Sequence, residues 1–490
     1  DIAARGIKLV ALPGDYTDDG QPLHLAGLQR ILQWYTNTYG IEFFITTGNH
    51  DPVGPFAQHA GKSDFLGTGG KQQPIYSKAG MHKAQLNDLP VVITADIATM
   101  GYTGITQYLG GFGFLPKENY RYWATPYSTY TYNDYTFKDA KAQGTLQNRQ
   151  YDVAPGFTVP DASYVAEPVE GLWLLAIDGN TYIPKDSNGN PAESSNYRGA
   201  DLGYNNVLSN KAHIINWVKS IAAEAKRLNK TLVAFSHYPM VDFNDGASPQ
   251  IAQFMGRNKW QLNRVPIEAV AQIFADAGIT IHFGGHMHIN DTGIRTTAAG
   301  NTLLNVQTPS LAAYIPAYKL LTLHGTTAEI ETITIDDVKG FDVLFPLYEM
   351  EYAYLKSTGK KDIWNKEILK TKSYHAFTDF HLKELVRLRF LPDDWHKDFA
   401  AFLDGLSGAE LLTLANLQGD ADIKDVVGNR ASHKKAWAAA ETLAKQKAKE
   451  AGVAWNTLSK WKGADVIIDF YRIRSADELA LADISRERIA

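Results

Sequence analysis

The sequence predicts an α/β protein. Three observations carry that expectation: short apolar runs alternate with segments of helical spacing, the runs stop abruptly in polar turns, and the same unit recurs after a long stretch rich in Gly and Tyr. Ile7 to Leu12 reads as a strand closing on Pro13-Gly14-Asp15. Leu23 to Tyr39 reads as a helix, with Leu25, Leu28, Ile31, Leu32 and Tyr35 at helical spacing, and Ile41 to Ile45 as a second strand ending in Gly48-Asn49-His50-Asp51. Residues 52 to 170 are expected to form loops and hairpins without helices; Tyr120 to Tyr135 alone holds six tyrosines and one tryptophan. Ala162 to Ile177 predicts two strands around Gly171 that lead to Asp178-Gly179-Asn180, and residues 184 to 206 form a polar insertion. Asn210 to Leu228 is a helix feeding the strand Thr231 to Phe235, which stops at Ser236-His237-Tyr238-Pro239. Pro266 to Ala277 is the next helix, feeding Ile279 to Phe283, which stops at Gly284-Gly285-His286-Met287-His288. Residues 292 to 336 alternate apolar and polar positions, as strands do.

Beyond about residue 340 the pattern becomes helical, over Leu382 to Phe390, Ala409 to Leu417, Ser432 to Ala451 and Ala476 to Ile484. The expected organisation is therefore a domain over 1–340 and a mainly helical one over 341–490. A length of 490 residues allows roughly three domains of about 150, or one large and one smaller. Hydrophobic residues at 44% and charged residues at 21% supply an ample core and exclude a disordered or collagen-like chain.

The net charge of −5 creates no field for a polyanion, so duplex nucleic acid is excluded as the main partner. No apolar run approaches the ~20 residues of a transmembrane helix. With no cysteine, metal ligation falls to His, Asp, Glu and Asn, and thiol chemistry is excluded. A cysteine-free chain rich in Tyr, Asn and Gly points towards a bacterial, periplasmic or secreted protein. Asp1 to Gly6 reads as the last turn of a helix, which predicts that a segment precedes it.

Four predicted strands end in residues that ligate metals: Asp15; Asn49 with His50 and Asp51; His237; and His286 with His288. In open α/β sheets the crevice beyond the carboxyl ends of strands is where ligands sit. Imidazole nitrogen, carboxylate and amide oxygen all suit divalent ions, and two ions about 3.5 to 4 Å apart can share a carboxylate and clamp a phosphoryl group. Alone, Gly14-Asp15 is a turn and His237 a packing or loop histidine. Gly-Asn-His-Asp and Gly-His-Met-His differ, because each sets paired ligands directly at a strand end behind a permissive glycine.

In this order, the motifs resemble those of the calcineurin-like metallophosphoesterase superfamily: D-x-H, G-D, G-N-H-[DE], H and G-H-x-H. Gly14-Asp15, Gly48-Asn49-His50-Asp51, His237 and Gly285-His286-Met287-His288 match the last four, over roughly residues 1 to 335. The resemblance implies a four-layer α/β/β/α sandwich of two mixed sheets and hydrolysis of a phosphomonoester or phosphodiester on a small or medium substrate. It implies two divalent ions, Mn, Fe or Zn. Asp15 would bridge them, Asn49, His237 and His286 would complete one site, and His288 would belong to the other. His50 would stand beside the leaving oxygen as a proton donor or charge stabiliser.

Two departures bear on this. No D-x-H precedes Asp15, so either an upstream strand supplies that aspartate and histidine or the second site is impaired. Asp18 stands where purple acid phosphatases carry a tyrosine ligand, which sets the chain apart from them. The alternative function is a binding or scaffold protein that kept the fold without the activity. His24, His59, His82, His213, His282, His324 and the C-terminal histidines are assigned to packing or surface; Asp178 and Asn180 are read first as the polar end of a strand, with a place behind the ligands as their second reading.

Overall fold

The computed structural model describes residues 1–84 and 88–489; within the stretch expected to be loops, residues 85–87 lie outside the described residues. The chain forms two compact units. The first comprises Asp1–Gln253, Gln261–Thr308 and Leu344–Lys361, and the second comprises Phe254–Trp260, Pro309–Val343 and the chain from Asp362 onward.

In the first unit, β1 (Leu9–Leu12) pairs in parallel with β2 (Glu42–Ile45), Leu9 opposite Glu42 and Leu12 opposite Ile45. Helix α1 (Pro22–Tyr39) connects them. It starts with proline at its first position, where the missing N–H costs nothing, and ends at Gly40, whose left-handed φ of 66° lets its N–H close on Thr36. A seven-stranded mixed sheet follows. Its strands are β3 (Tyr122–Ala124), β4 (Tyr164–Val169), β5 (Leu172–Ile177), β6 (Thr231–Ser236), β7 (Ile281–Gly284), β8 (Asp291–Thr296) and β9 (Thr302–Gln307), in spatial order β8-β9-β7-β6-β5-β4-β3. Strands β5, β6, β7 and β9 run parallel, so the turns after Ile177, Ser236 and Gly284 open at one end. The flanking pairs are antiparallel.

Strand β5 buries both faces, as a central parallel strand must. Its alternate residues Trp173, Leu175 and Ile177 pack into one core with α2 (Tyr204–Asn210), α3 (His213–Arg227) and α4 (Glu268–Asp276). Helix α3 contributes Ile214, Val218, Ile221 and Ala225, a single stripe at helical spacing. Burying each large side chain there is worth about 1.5 to 3 kcal/mol.

The second unit holds an antiparallel hairpin, β10 (Ala317–His324) with β11 (Thr327–Thr334), and helices including Tyr374–Leu385, Lys434–Glu450 and Gly463–Ala476. Leu382, Val386, Ile467, Tyr471, Ala476 and Ala480 form its core. Among the described residues no helix is long and apolar enough to cross a membrane.

Several expectations are corrected. The stretch 52–170 contains helices at Gly101–Leu109 and Phe137–Gln143. The first has glycines at 101 and 104, and it folds because Tyr102, Ile105 and Leu109 are buried, a tertiary gain that overrides weak propensity. The segment Ala476–Ile484 is a 3-10 helix, Asp477–Asp483, set off from the preceding α-helix by Asp477 at φ 52°. Of the compact units, the second includes the β10–β11 hairpin and the first includes the helix Phe345–Ser357.

Candidate metal centre

The turns after β1, β2, β6 and β7 bring four side chains to one point. His237 Nε2 lies 3.1 Å from Asp15 Oδ2, 3.1 Å from Asn49 Oδ1 and 3.1 Å from His286 Nδ1. The ligand atoms of Asp15, His237 and His286 all fall within 4.8 Å of one another.

The backbone of this point is tightly built. Gly14 adopts φ 87°, and a Cβ on it would strike the Gly48 amide, while a Cβ on Gly48 would run into the Asp15 carboxylate. Asp15, His286 and His288 themselves have left-handed φ values of 55°, 69° and 56°, a conformation that costs non-glycine residues about 1 to 3 kcal/mol each. Asp51 offsets part of that cost. It is fully buried and accepts N–H bonds from Gly48, Asp15, Tyr16 and Thr17, tying the turn after β1 to the turn after β2. Burial, followed by the adjacent Asp15 carboxylate, pushes the Asp51 carboxyl up.

The hydrogens decide what the point can hold. His237 Nδ1 lies 2.8 Å from the Pro13 carbonyl, which can only accept, so this nitrogen carries a hydrogen. His286 Nε2 donates in the same way to the Asp201 carbonyl at 3.2 Å. Burial, then the neighbouring His237 and Arg264, push His286 well down, so it is neutral with its Nδ1 lone pair turned inward. Asp15 Oδ1 accepts the His50 N–H at 2.9 Å, which leaves Oδ2 free. Burial works against the Asp15 carboxylate, but His237 and the bonds around it hold it well below the usual carboxylate range. A single proton on His237 Nε2 could serve one of its three neighbours and would leave the other two without a donor at that point. A cation satisfies all four donors at once, and ligating histidines whose second nitrogen donates to a carbonyl are the usual arrangement around metals. The donor set of two imidazoles, a carboxylate and an amide oxygen fits Zn, Mn or Fe.

His288 lies outside the group that gathers around His237. Its side chain reaches solvent, yet the protein packed against its ring is the first cause pushing it down, with His237 and Arg264 adding to the effect and Asp15 opposing it. His50 is exposed, and its Nδ1 lies 3.0 Å from the Asp18 carbonyl and 3.3 Å from Asp19 Oδ1. That bond to Asp19, against burial and with help from Asp15, raises the imidazole to about 9. Lys62 in turn pairs with Asp18 and Asp19.

Sequence reasoning missed Asp19, Lys62 and Arg264. Asp18-Asp19, separated from Gly14-Asp15 by Tyr16 and Thr17, was a visible signal. Lys62 comes from a strand (Gly61–Leu66) that carries no motif. Arg264 ends a 3-10 turn, and among the described residues no carboxylate pairs with it. Of the histidines assigned to packing, His282 is fully buried and bonded to Ser236 and Asn305, and His213 lies beside Asp161 and Tyr127.

No family profile and no curated protein matches the sequence. Among solved structures, a dimetal phosphatase from Danio rerio is similar over 36% of this chain and 60% of its own, with 12% sequence identity and a TM-score of 0.23. That likeness is weak and carries no argument; the candidate centre is described by its own geometry.

Proposed function

We propose that this chain is a metal-dependent phosphoester hydrolase whose centre is Asp15, Asn49, His237 and His286, with His288 serving a second, weaker position and His50 at the leaving group. The observation that carries it is the convergence on His237 Nε2 of three further donor atoms that a single proton cannot satisfy. A divalent ion held there supplies Lewis acidity to a phosphoryl oxygen and lowers the pKa of water.

The chain's own residues supply the rest. His50 holds a proton into the alkaline range through Asp19, and with Nδ1 committed to Asp18 and Asp19 its Nε2–H is the free one, available to a departing oxygen. Arg264, close enough to depress His286 and His288 and without a carboxylate partner among the described residues, supplies a cation to the anionic ester. The same reading carries the four-layer sandwich, with the β1–β2 pair belonging to a second sheet. All six site residues lie in the first compact unit, which supports a catalytic role for that unit and an accessory role for the second.

The test is metal analysis of the purified chain with hydrolysis of p-nitrophenyl phosphate and bis-p-nitrophenyl phosphate in Mn²⁺, Zn²⁺ or Fe²⁺. Turnover of one ester is expected, abolished in His237→Ala and Asp15→Asn. A chain that binds the ion and cleaves neither ester would instead be a scaffold on this fold.

A further inference from the structure

Behind the candidate ligands, the end of β5 supplies no ligand of its own, yet it is bonded to both ligand-bearing turns nearest it. Asn180 is fully buried. Its Nδ2 donates to the Gly48 carbonyl at 3.0 Å, and its Oδ1 accepts the Tyr238 hydroxyl at 2.5 Å. Gly48 O belongs to the peptide that leads into Asn49, so this bond sets the plane from which the Asn49 side chain departs. Tyr238 follows His237, and its ring packs edge-on against both imidazoles, 5.0 Å from His237 and 4.9 Å from His286 between centroids. One amide therefore grips the turn after β2 with its donor and, through Tyr238, the two histidines with its acceptor.

The amide is itself held from behind. Its backbone N–H bonds Asp178 Oδ1 at 3.1 Å, and its carbonyl accepts from Lys211 Nζ at 3.2 Å. Lys211 is fully buried between Asp178 at 3.1 Å and Asp161 at 3.3 Å. Asp178 also accepts the Thr47 hydroxyl at 2.8 Å and the Tyr102 hydroxyl at 2.7 Å. Buried polar groups of this kind are rigid when every member is satisfied.

We propose that Asn180, acting through Gly48 and Tyr238, is a positioning residue of the metal centre. This rests on the metal reading given above. An amide fits the role, because the position needs a donor towards a carbonyl and an acceptor towards a phenol at once; an ionised aspartate lacks the donor and leucine lacks both. Partners behind first ligands typically change metal affinity by about 10- to 100-fold when removed.

The experiment titrates the full chain with Co²⁺ and reads affinity and the visible absorption bands, whose position and intensity report ligand geometry. Tyr238→Phe removes the hydroxyl and keeps the ring; Asn180→Leu removes both contacts. Tyr164→Phe is the control, since it deletes an equally buried phenol bond to the Ile45 carbonyl of β2 without touching the ligand turns. Both test variants are expected to bind Co²⁺ about 10- to 100-fold more weakly with altered bands, and the control to match the parent. Parent-like affinity and bands in Tyr238→Phe, or equal changes in Tyr164→Phe, would overturn the proposal. Should Asn180→Leu fail to fold, Tyr238→Phe decides. A parent chain that takes up no Co²⁺ would remove the metal reading itself, an outcome distinct from either.

Discussion

His50 and Asp19 show how much chemistry rests on one contact. With the Asp19 carboxylate 3.3 Å from Nδ1, the imidazolium persists through neutral pH, the form that can give a proton away. Asp19→Asn is expected to bring His50 from about 9 towards its ordinary value near 6.5. An NMR titration of the His50 ring in the metal-free chain reads this directly, and a value still near 9 would remove Asp19 as the cause. His50→Asn is expected to lower turnover by about 10² to 10⁴ with metal content unchanged; metal loss as large as in His237→Ala would make it a ligand. His50 could be found in the sequence because it sits inside Gly-Asn-His-Asp. Its partner could not, because nothing local tells which acid of Asp18-Asp19 turns towards it.

At the scale of the element, β7 carries a buried histidine with a stability consequence. His282 Nδ1 lies 2.8 Å from Asn305 Oδ1 of β9 and Nε2 lies 2.7 Å from the Ser236 hydroxyl of β6, so the ring pins three adjacent strands. Burial pushes it down to about 4. In the unfolded chain it binds a proton near 6.5, so between about 6.5 and 4 the unfolded state holds more protons than the folded one. Its contribution is complete above pH 6.5 and is lost as the pH falls towards 4, by about 3 kcal/mol in all. Urea unfolding at pH 7.5 and pH 5 should show a larger drop in the parent than in His282→Gln, and equal drops would refute the assignment. Helices were legible here only where a stripe or a cap marked them. The helix Phe137–Gln143 is not among them although the Thr136 hydroxyl caps it by accepting the Asp139 N–H, because one such spacing inside a Tyr-rich stretch is a weak signal; Gly101–Leu109 had no mark and owes its existence to burial.

For the whole molecule, the division of labour between the units can be measured. In the second unit Arg472 bonds Asp379 at 2.7 and 3.0 Å and Asp469 at 2.7 Å, and Asp469 also pairs with Arg488. Arg472→Leu removes these charge-assisted bonds but leaves Asp379 with Lys383 and Asp469 with Arg488, so a loss of about 1.5 to 3 kcal/mol is expected. Thermal unfolding should register it while metal content per folded chain stays at the parent value; loss of the ion would place metal binding under the second unit's control. Metal stoichiometry is the complementary measurement. Asp15, Asn49, His237 and His286 surround one point, whereas a second position would have Asp15 and His288, fewer than the roughly three or four protein ligands of well-held zinc. One tightly bound ion per chain is expected by elemental analysis, and two equally tight ions would require a ligand beyond these five.

By itself the sequence determined which strands end in residues of metal-ligand type, because each motif is a short local pattern attached to an apolar run. It also determined that strands and helices alternate through the first unit and that helices dominate the later part. Only the tertiary structure decided where the hydrogens go and which neighbours hold the ligands. The Pro13 carbonyl that fixes the His237 tautomer lies 224 residues away in the chain, and the Asn180 amide that holds Gly48 lies 132 residues away. Such contacts follow from sheet order and register, which bring distant strand ends together, and no local periodicity encodes them. The same holds for the β10–β11 hairpin: its alternation was readable, but its membership of the second unit depends on which surface it buries.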